Sequence, residues 1–464
     1  MRPNHPLTAL LAVGFVLASA GCQTVTQPQR SSATATAVAS GTPMAAPAAA
    51  ASPDHHSDGK ADSAATVTDE TEATGIRVKL GSGATVDLTA SQLTSDPYGI
   101  AHPLLGRDLD ADGFTDLVFV TPHGQLNVVP GSPSGLRLAA RHTFDLPTTG
   151  SPTINSLALI ESPMRRLAVG LSTEARVGQV FLIQLDAGGA PTGGPMLLQP
   201  GKGKLPKLSD TVGSFGDSLA SAGSQLFIGF PYAKVRGVRS AGAIMVVTLG
   251  ATGVSAATTI TQATKGVTGV VGKNDFFGSS VAARDGYLAV GAFGDDVESI
   301  KGTGSVQIFT LSKGKVTPKT RLSQASPGVP GRAERRDQFG RTVALAASCS
   351  GVPAVVVGAP AENITKGHDE AGDGSAWLIP LRTVKGCPAR QLYEGHGLSG
   401  TPWYRNVGFG LAVIRDRGAV ADDLVIIGPG SYSEGPEGRL FRWSAASLGT
   451  VYTADGFYRG AASR

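Results

Sequence analysis

The stretch "DLDADGFTD" (108–116) sets Asp108, Asp110, Asp112 and Asp116 at positions 1, 3, 5 and 9 of a metal loop. Gly113 takes position 6, where such a chain turns sharply, and the carbonyl of Phe114 falls at position 7. Hard cations such as Ca²⁺ gather six to eight oxygens, and this pattern supplies most of them. An EF-hand also requires Glu at position 12 and a helix on each side. Position 12 is Phe119, within the apolar run "LVFV". The loop therefore reads as a strand–loop–strand Ca²⁺ site with Asp108, Asp110, Asp112, Asp116 and the Phe114 carbonyl as ligands. The alternative is an acidic solvated turn, since Asp and Gly are common turn formers. Four carboxylates crowded this closely repel one another without a cation.

Other groups capable of chemistry are dispersed. His102, His123, His142, His368 and His396 lie in no HExxH or G-x-S-x-G arrangement. "GHDEAGDGS" (367–375) collects His368, Asp369, Glu370 and Asp373, but acidic glycine-rich loops are chiefly turns. No catalytic residue is assigned, and a non-enzyme is expected.

The elements that position the loop follow from composition. Charged residues make up only 16% of the chain, below the roughly 25% of an average domain. Glycine is abundant, amphipathic helical runs are missing, and short Val/Ile/Leu segments end in Gly, Pro, Ser or Asp. That pattern predicts many short strands. The N-terminus differs. Arg2 precedes an apolar run over 7–20, too short for a membrane span, and "ASAGC" ends at Cys22. This resembles a bacterial lipoprotein signal over 1–21 with Cys22 lipidated, and implies a protein exported and anchored to the outer face of the cell membrane. Residues 22–75 are rich in Ala, Ser, Thr and Pro and read as a disordered tether.

From about Ile76 the chain repeats. "FGDSLASAGSQLFIGFP", "FGSSVAARDGYLAVGAF", "FGRTVALAASCSGVPAVVVGAP" and "FGLAVIRDRGAVADDLVIIGPG" begin at Phe215, Phe277, Phe339 and Phe409, and weaker copies begin at Tyr98 and Ile154. Each unit has room for four strands, and such units repeated radially form propeller blades. The Phe-Gly … Gly-Ala-Pro units resemble FG-GAP repeats, the blades of the integrin α-subunit propeller. The resemblance covers 76–464 and implies an all-β propeller with six recognisable repeats. Six or seven blades are expected, the segment 76–89 adding an outer pair that closes the ring if there are seven. It also implies that the acidic loop is the hairpin between the first two strands of its blade, braced by structural calcium. In the last repeat Arg415, Arg417 and Ala419 replace the first ligands, so one calcium site is expected.

Within the repeat frame, Cys349 and Cys387 fall in turns at one end of the fifth unit and are predicted to form a disulfide. In integrin-like propellers, partners bind the opposite face from the calcium hairpin. The candidates there are Tyr232, Lys234 and Arg236, then Arg332, Arg335 and Arg336, then Trp403, Tyr404 and Arg405; aromatic and Arg side chains are enriched at contact hot spots. The repeat region is mildly basic, too dilutely for nucleic acid. The leading reading is a surface lipoprotein that binds an extracellular protein. The alternatives are a glycan-binding propeller and a polysaccharide-active enzyme.

Overall fold

The computed structural model describes residues 39–40, 63–68, 74–79, 85–96, 99–101, 103–148, 150–173, 178–208, 214–365, 372–402, 406–414, 419–430, 437–446 and 449–455. All of them belong to one compact unit, Ser32–Arg464. It is all-β apart from single helical turns. Six antiparallel four-stranded sheets follow in chain order, spanning 104–145, 153–198, 219–260, 281–322, 342–394 and 410–455; these are blades 1 to 6 of a β-propeller. The fifth carries a short additional parallel strand, Gly397–Leu398.

Each blade runs outward from its first strand. These innermost strands are Leu104–Arg107, Thr153–Ile160, Leu219–Ala222, Val281–Arg284, Thr342–Ala347 and Gly410–Ile414. Strands two and three are almost wholly buried, as in Gln225–Phe230 and Ala243–Gly250. Outermost strands such as Lys315–Leu322 alternate exposed and half-buried positions, the expected pattern for a sheet edge facing water. The core consists of apolar clusters between successive blades: Phe227, Ile244, Phe277 and Val290 between blades 3 and 4, for example, and Phe339, Val355 and Trp377 between blades 4 and 5.

The repeat signature has a mechanical meaning at these joints. Gly216, Gly278, Gly340 and Gly408 all have φ between +86° and +90°, a region that only glycine enters without strain. Each turns its carbonyl against the strand-two glycine of the preceding blade: Gly170, Gly229, Gly291 and Gly358. A Cβ on any of those four would collide with that carbonyl oxygen. Hydroxyls finish the joint: Ser156 Oγ, Ser218 Oγ and Thr342 Oγ1 donate to the Gly216, Gly278 and Gly408 carbonyls at 2.8, 2.9 and 2.7 Å.

Two expectations change. The last repeat does not start at Phe409. Val407–Gly408 holds the joint, with Val407 against Gly374 and Gly408 against Gly358, while Gly410 opens the innermost strand. The joint needs a left-handed glycine after an apolar residue, and Val407 satisfies it as Phe does. Secondly, the segment after Ile76 adds no outer strand pair to a blade. Thr74–Lys79 pairs with Ser63–Thr68 and Thr85–Leu88 in a separate three-stranded sheet. Its Ala64, Ile76 and Val78 pack with Leu104, Leu117, Phe119 and Val129, on the face of blade 1 turned away from blade 2. Among the described residues, two strands thus lie inside the stretch expected to be tether: Ser63–Thr68, and Ala39–Ser40, which pairs in parallel with Leu105–Gly106 on the inner edge of blade 1. Residues 1–31, with Cys22, lie outside the described set.

Candidate functional site

The acidic loop is the hairpin between the first two strands of blade 1, and Arg107 pairs with Asp116 at its neck. Positive φ at Ala111 and Gly113, +64° and +93°, curls the loop inward. Carboxylate oxygens of Asp108, Asp110 and Asp116 converge within 4.8 Å of one another, and among the described residues no other three acidic, His or Cys side chains do so. Loop amides hold them in place. Asp108 accepts from Ala111 N at 2.6 Å and Gly113 N at 3.1 Å, and Asp110 accepts from Asp112 N at 3.1 Å. Asp116 is buried and accepts from Leu109 N at 2.6 Å and Gly131 N at 2.8 Å. Burial pushes Asp116 up to about 7, against those two amide bonds, and the Asp110 and Asp108 charges add to the rise. Burial also raises Asp108. Among the described residues no basic side chain pairs with Asp108 or Asp116, and the oxygen-only donor set fits a hard cation. Asp112 stands outside the convergent trio. Its Oδ1 accepts from Phe114 N at 2.9 Å, and its Oδ2 faces Arg137 at 4.0 Å.

The disulfide forms as expected. Cys349 opens the single-turn helix between strands one and two of blade 5, Cys387 lies between strands three and four, and their Cα atoms are 5.9 Å apart. In an antiparallel blade these turns share the end that carries the acidic loop in blade 1.

On the opposite end, the loops bring together residues from three blades. Tyr232, 51% exposed, meets Phe276 edge-on with ring centroids 5.4 Å apart. Phe276 stacks on Phe293 at 4.7 Å, and the Arg341 guanidinium lies 4.4 Å over Phe293. Phe276 and Phe293 are half-buried. This ladder crosses the loops of blades 3, 4 and 5. Arg236, Arg332, Arg335 and Arg336 are exposed on the same end, and Lys234 is half-buried. Trp403, Tyr404 and Arg405, like His368, Asp369 and Glu370, lie outside the described residues. The sequence signalled the ladder only faintly: "DFFG" carries an extra Phe276, and "GAFG" puts Phe293 where other units have Pro.

Beneath this end lie two related carboxylate networks that the sequence reading missed. In blade 4, Asp295 pairs with Arg321 through Nε at 3.0 Å and through Nη2. The same register position in blade 5 is Gln391. There Glu362 accepts from Gln324 Nε2 at 2.6 Å and from Gln391 Nε2 at 3.5 Å. Burial, reinforced by the Asp337 charge, pushes Glu362 up to about 8, and burial pushes Asp337 up to about 7.

Residues 262–309, from the end of blade 3 through the third strand of blade 4, match the family model described as FG-GAP repeat. An FG-GAP repeat is therefore present. The match contains the Phe277–Gly278 joint and two rungs of the ladder. A solved structure described as "BBS1N in complex with ARL6DN, soaked with lead" is similar over 85% of this chain and 94% of that one, at 12% identity and a TM-score of 0.42. No curated protein matches the chain. A propeller of FG-GAP type is typically non-catalytic and suits a binding role.

Proposed function

We propose that this FG-GAP propeller is an exported lipoprotein that binds an extracellular protein through the face carrying Tyr232, Phe276, Phe293 and Arg341. The ladder carries the reading. Exposed or half-exposed aromatic and Arg side chains from three blades form one surface on rigid loops, the composition of contact hot spots, and Arg236, Arg335 and Arg336 extend it. Trp403, Tyr404 and Arg405 belong to the same proposed face. Asp108, Asp110 and Asp116 hold Ca²⁺ with the Phe114 carbonyl, and Asp112 orders the loop or acts through water. The ion is structural: it sits at the far end from the binding face and ties down a hairpin that repels itself. Cys22 carries the lipid and tethers the propeller to the membrane.

Capture from cell-wall and secreted fractions by soluble protein carrying Cys22→Ala, run beside a glycan array, tests this reading. A protein retained by the wild-type face and lost with Tyr232→Ser plus Arg341→Ala supports it. Retention of glycans alone assigns the face to carbohydrate, and retention indifferent to both substitutions removes the face from the account.

A further inference from the structure

A cavity of about 120 Å³ runs along the axis of the ring, walled by the first strands of all six blades, with Ala39–Ser40 laid along Leu105–Gly106 on the blade 1 side. The wall is aliphatic. Leu157, Leu219, Val281 and Val343 contribute equivalent side chains at 62-residue intervals, Leu411 matches them in blade 6, and Leu105 joins the wall one residue further along its strand, level with Ala282. Two guanidinium groups, Arg107 and Arg284, close the end nearest the acidic loop, each the last residue of its strand.

The two arginines differ in their surroundings. Arg284 is neutralised: Nη1 donates to Asp422 at 2.6 Å and to the Leu345 carbonyl at 3.2 Å, and Nε stands 3.2 Å from Asp285. Nε and Nη1 of Arg107 are shut off from solvent, and no acceptor among the described residues bonds them. A buried cation is costly unless it is paired and hydrogen-bonded. The Glu161 charge acts on Arg107 without bonding Nε or Nη1, and an aliphatic wall with these donors unsatisfied at its end matches a molecule that is apolar along its length and anionic at one tip.

We propose that the axial cavity binds a short aliphatic carboxylate, with its carboxylate on Arg107 and its chain among the Leu and Val side chains of the wall. A cavity of roughly 150 Å³ lined by such residues accommodates benzene, so this one suits a chain of roughly four or five carbons. The site is independent of the protein-binding face, which lies at the other end of the blades.

Calorimetric titration of the full chain with butyrate, and separately with chloride and inorganic phosphate, tests the proposal. Butyrate binds the wild type, Arg107→Met weakens it by roughly tenfold or more through loss of a charge-assisted pair, and chloride and phosphate bind less tightly because they leave the wall unused. Ala283→Leu, which narrows the cavity with Arg107 retained, removes butyrate binding and decides the matter should Arg107→Met fail to fold. Absence of butyrate binding to folded wild type, equal affinity in either folded variant, or chloride or phosphate binding as tightly as butyrate overturns the proposal.

Discussion

Asp116 and Glu362 show how the environment sets the behaviour of a carboxylate. Both are buried and raised, but their surroundings differ. Asp116 belongs to three convergent carboxylates and accepts two backbone amides, a donor set that a hard cation completes. The proposed Ca²⁺ would stabilise the fold by mass action, by about 2.7 kcal/mol at a hundredfold excess over its dissociation constant. Chelation should lower the melting temperature of the wild type and leave Asp110→Asn unmoved; equal chelator sensitivity in both would show that the loop holds no ion. Glu362 and Asp337 face Gln324, Gln391 and the Glu334 carboxylate, with the Glu334 amide donating to Asp337 at 2.6 Å, where blade 4 supplies Arg321. Their folded pKa values, about 8 and about 7, exceed the unfolded values of 4.5 and 3.8. The folded state therefore holds the protons more tightly, and this stabilisation is full below about pH 4 and is lost as the pH rises through 7 to 8. The melting temperature should fall between pH 6 and 9. Gln391→Arg should flatten the fall by restoring the counter-charge seen at Asp295, and Glu362→Gln should flatten it by removing the titration, by more than the roughly 1.4 kcal/mol of one pKa unit. Parallel pH profiles for wild type and both variants would refute this.

The four-stranded blade was largely legible in the sequence because its determinants are local. Turn residues separate short β-branched runs, and Phe-Gly with Gly-Ala-Pro marks where neighbouring blades touch. The glycine pairs explain why this signal is so plain: Gly291 faces the Gly340 carbonyl with no room for a methyl group. Gly291→Ala should destabilise the protein by about 1–3 kcal/mol, measured by denaturant unfolding, whereas an alanine at exposed Gly314, with open space around it, meets no neighbour and adds only local turn strain. A Gly291→Ala loss no larger than that of Gly314→Ala would disprove the joint. Legibility failed where identity and geometry part company. Phe409 drew the last repeat two residues out of register because the joint accepts Val407. "SAATVT" is compositionally indistinguishable from tether, and its strand rests on non-local partners: it pairs with Thr74–Lys79, and Ala64 packs with Leu104 and Phe119 of blade 1. The acidic loop was readable from spacing alone, apart from the placing of Asp112 outside the converging trio. The ladder was only faintly readable, since Tyr232, Phe276, Phe293 and Arg341 are scattered over 110 positions and meet only once the blades stack.

At the scale of the whole molecule, the ring keeps two groups of candidate residues at opposite ends. One end holds the acidic loop, the disulfide and the arginine-closed mouth of the axial cavity. The other presents the aromatic–cation ladder. The proposed lipid on Cys22 predicts that Cys22→Ala shifts the protein from the membrane fraction to the medium; equal partition of the two forms would exclude lipidation. The most direct test of the binding account places a photo-crosslinking residue at Tyr232 on intact cells, with Lys313, in the strand three–four turn at the opposite end of blade 4, as the comparison. The account predicts a discrete protein adduct from position 232 and none from position 313. Adducts from neither position, or the same adduct from both, would contradict it.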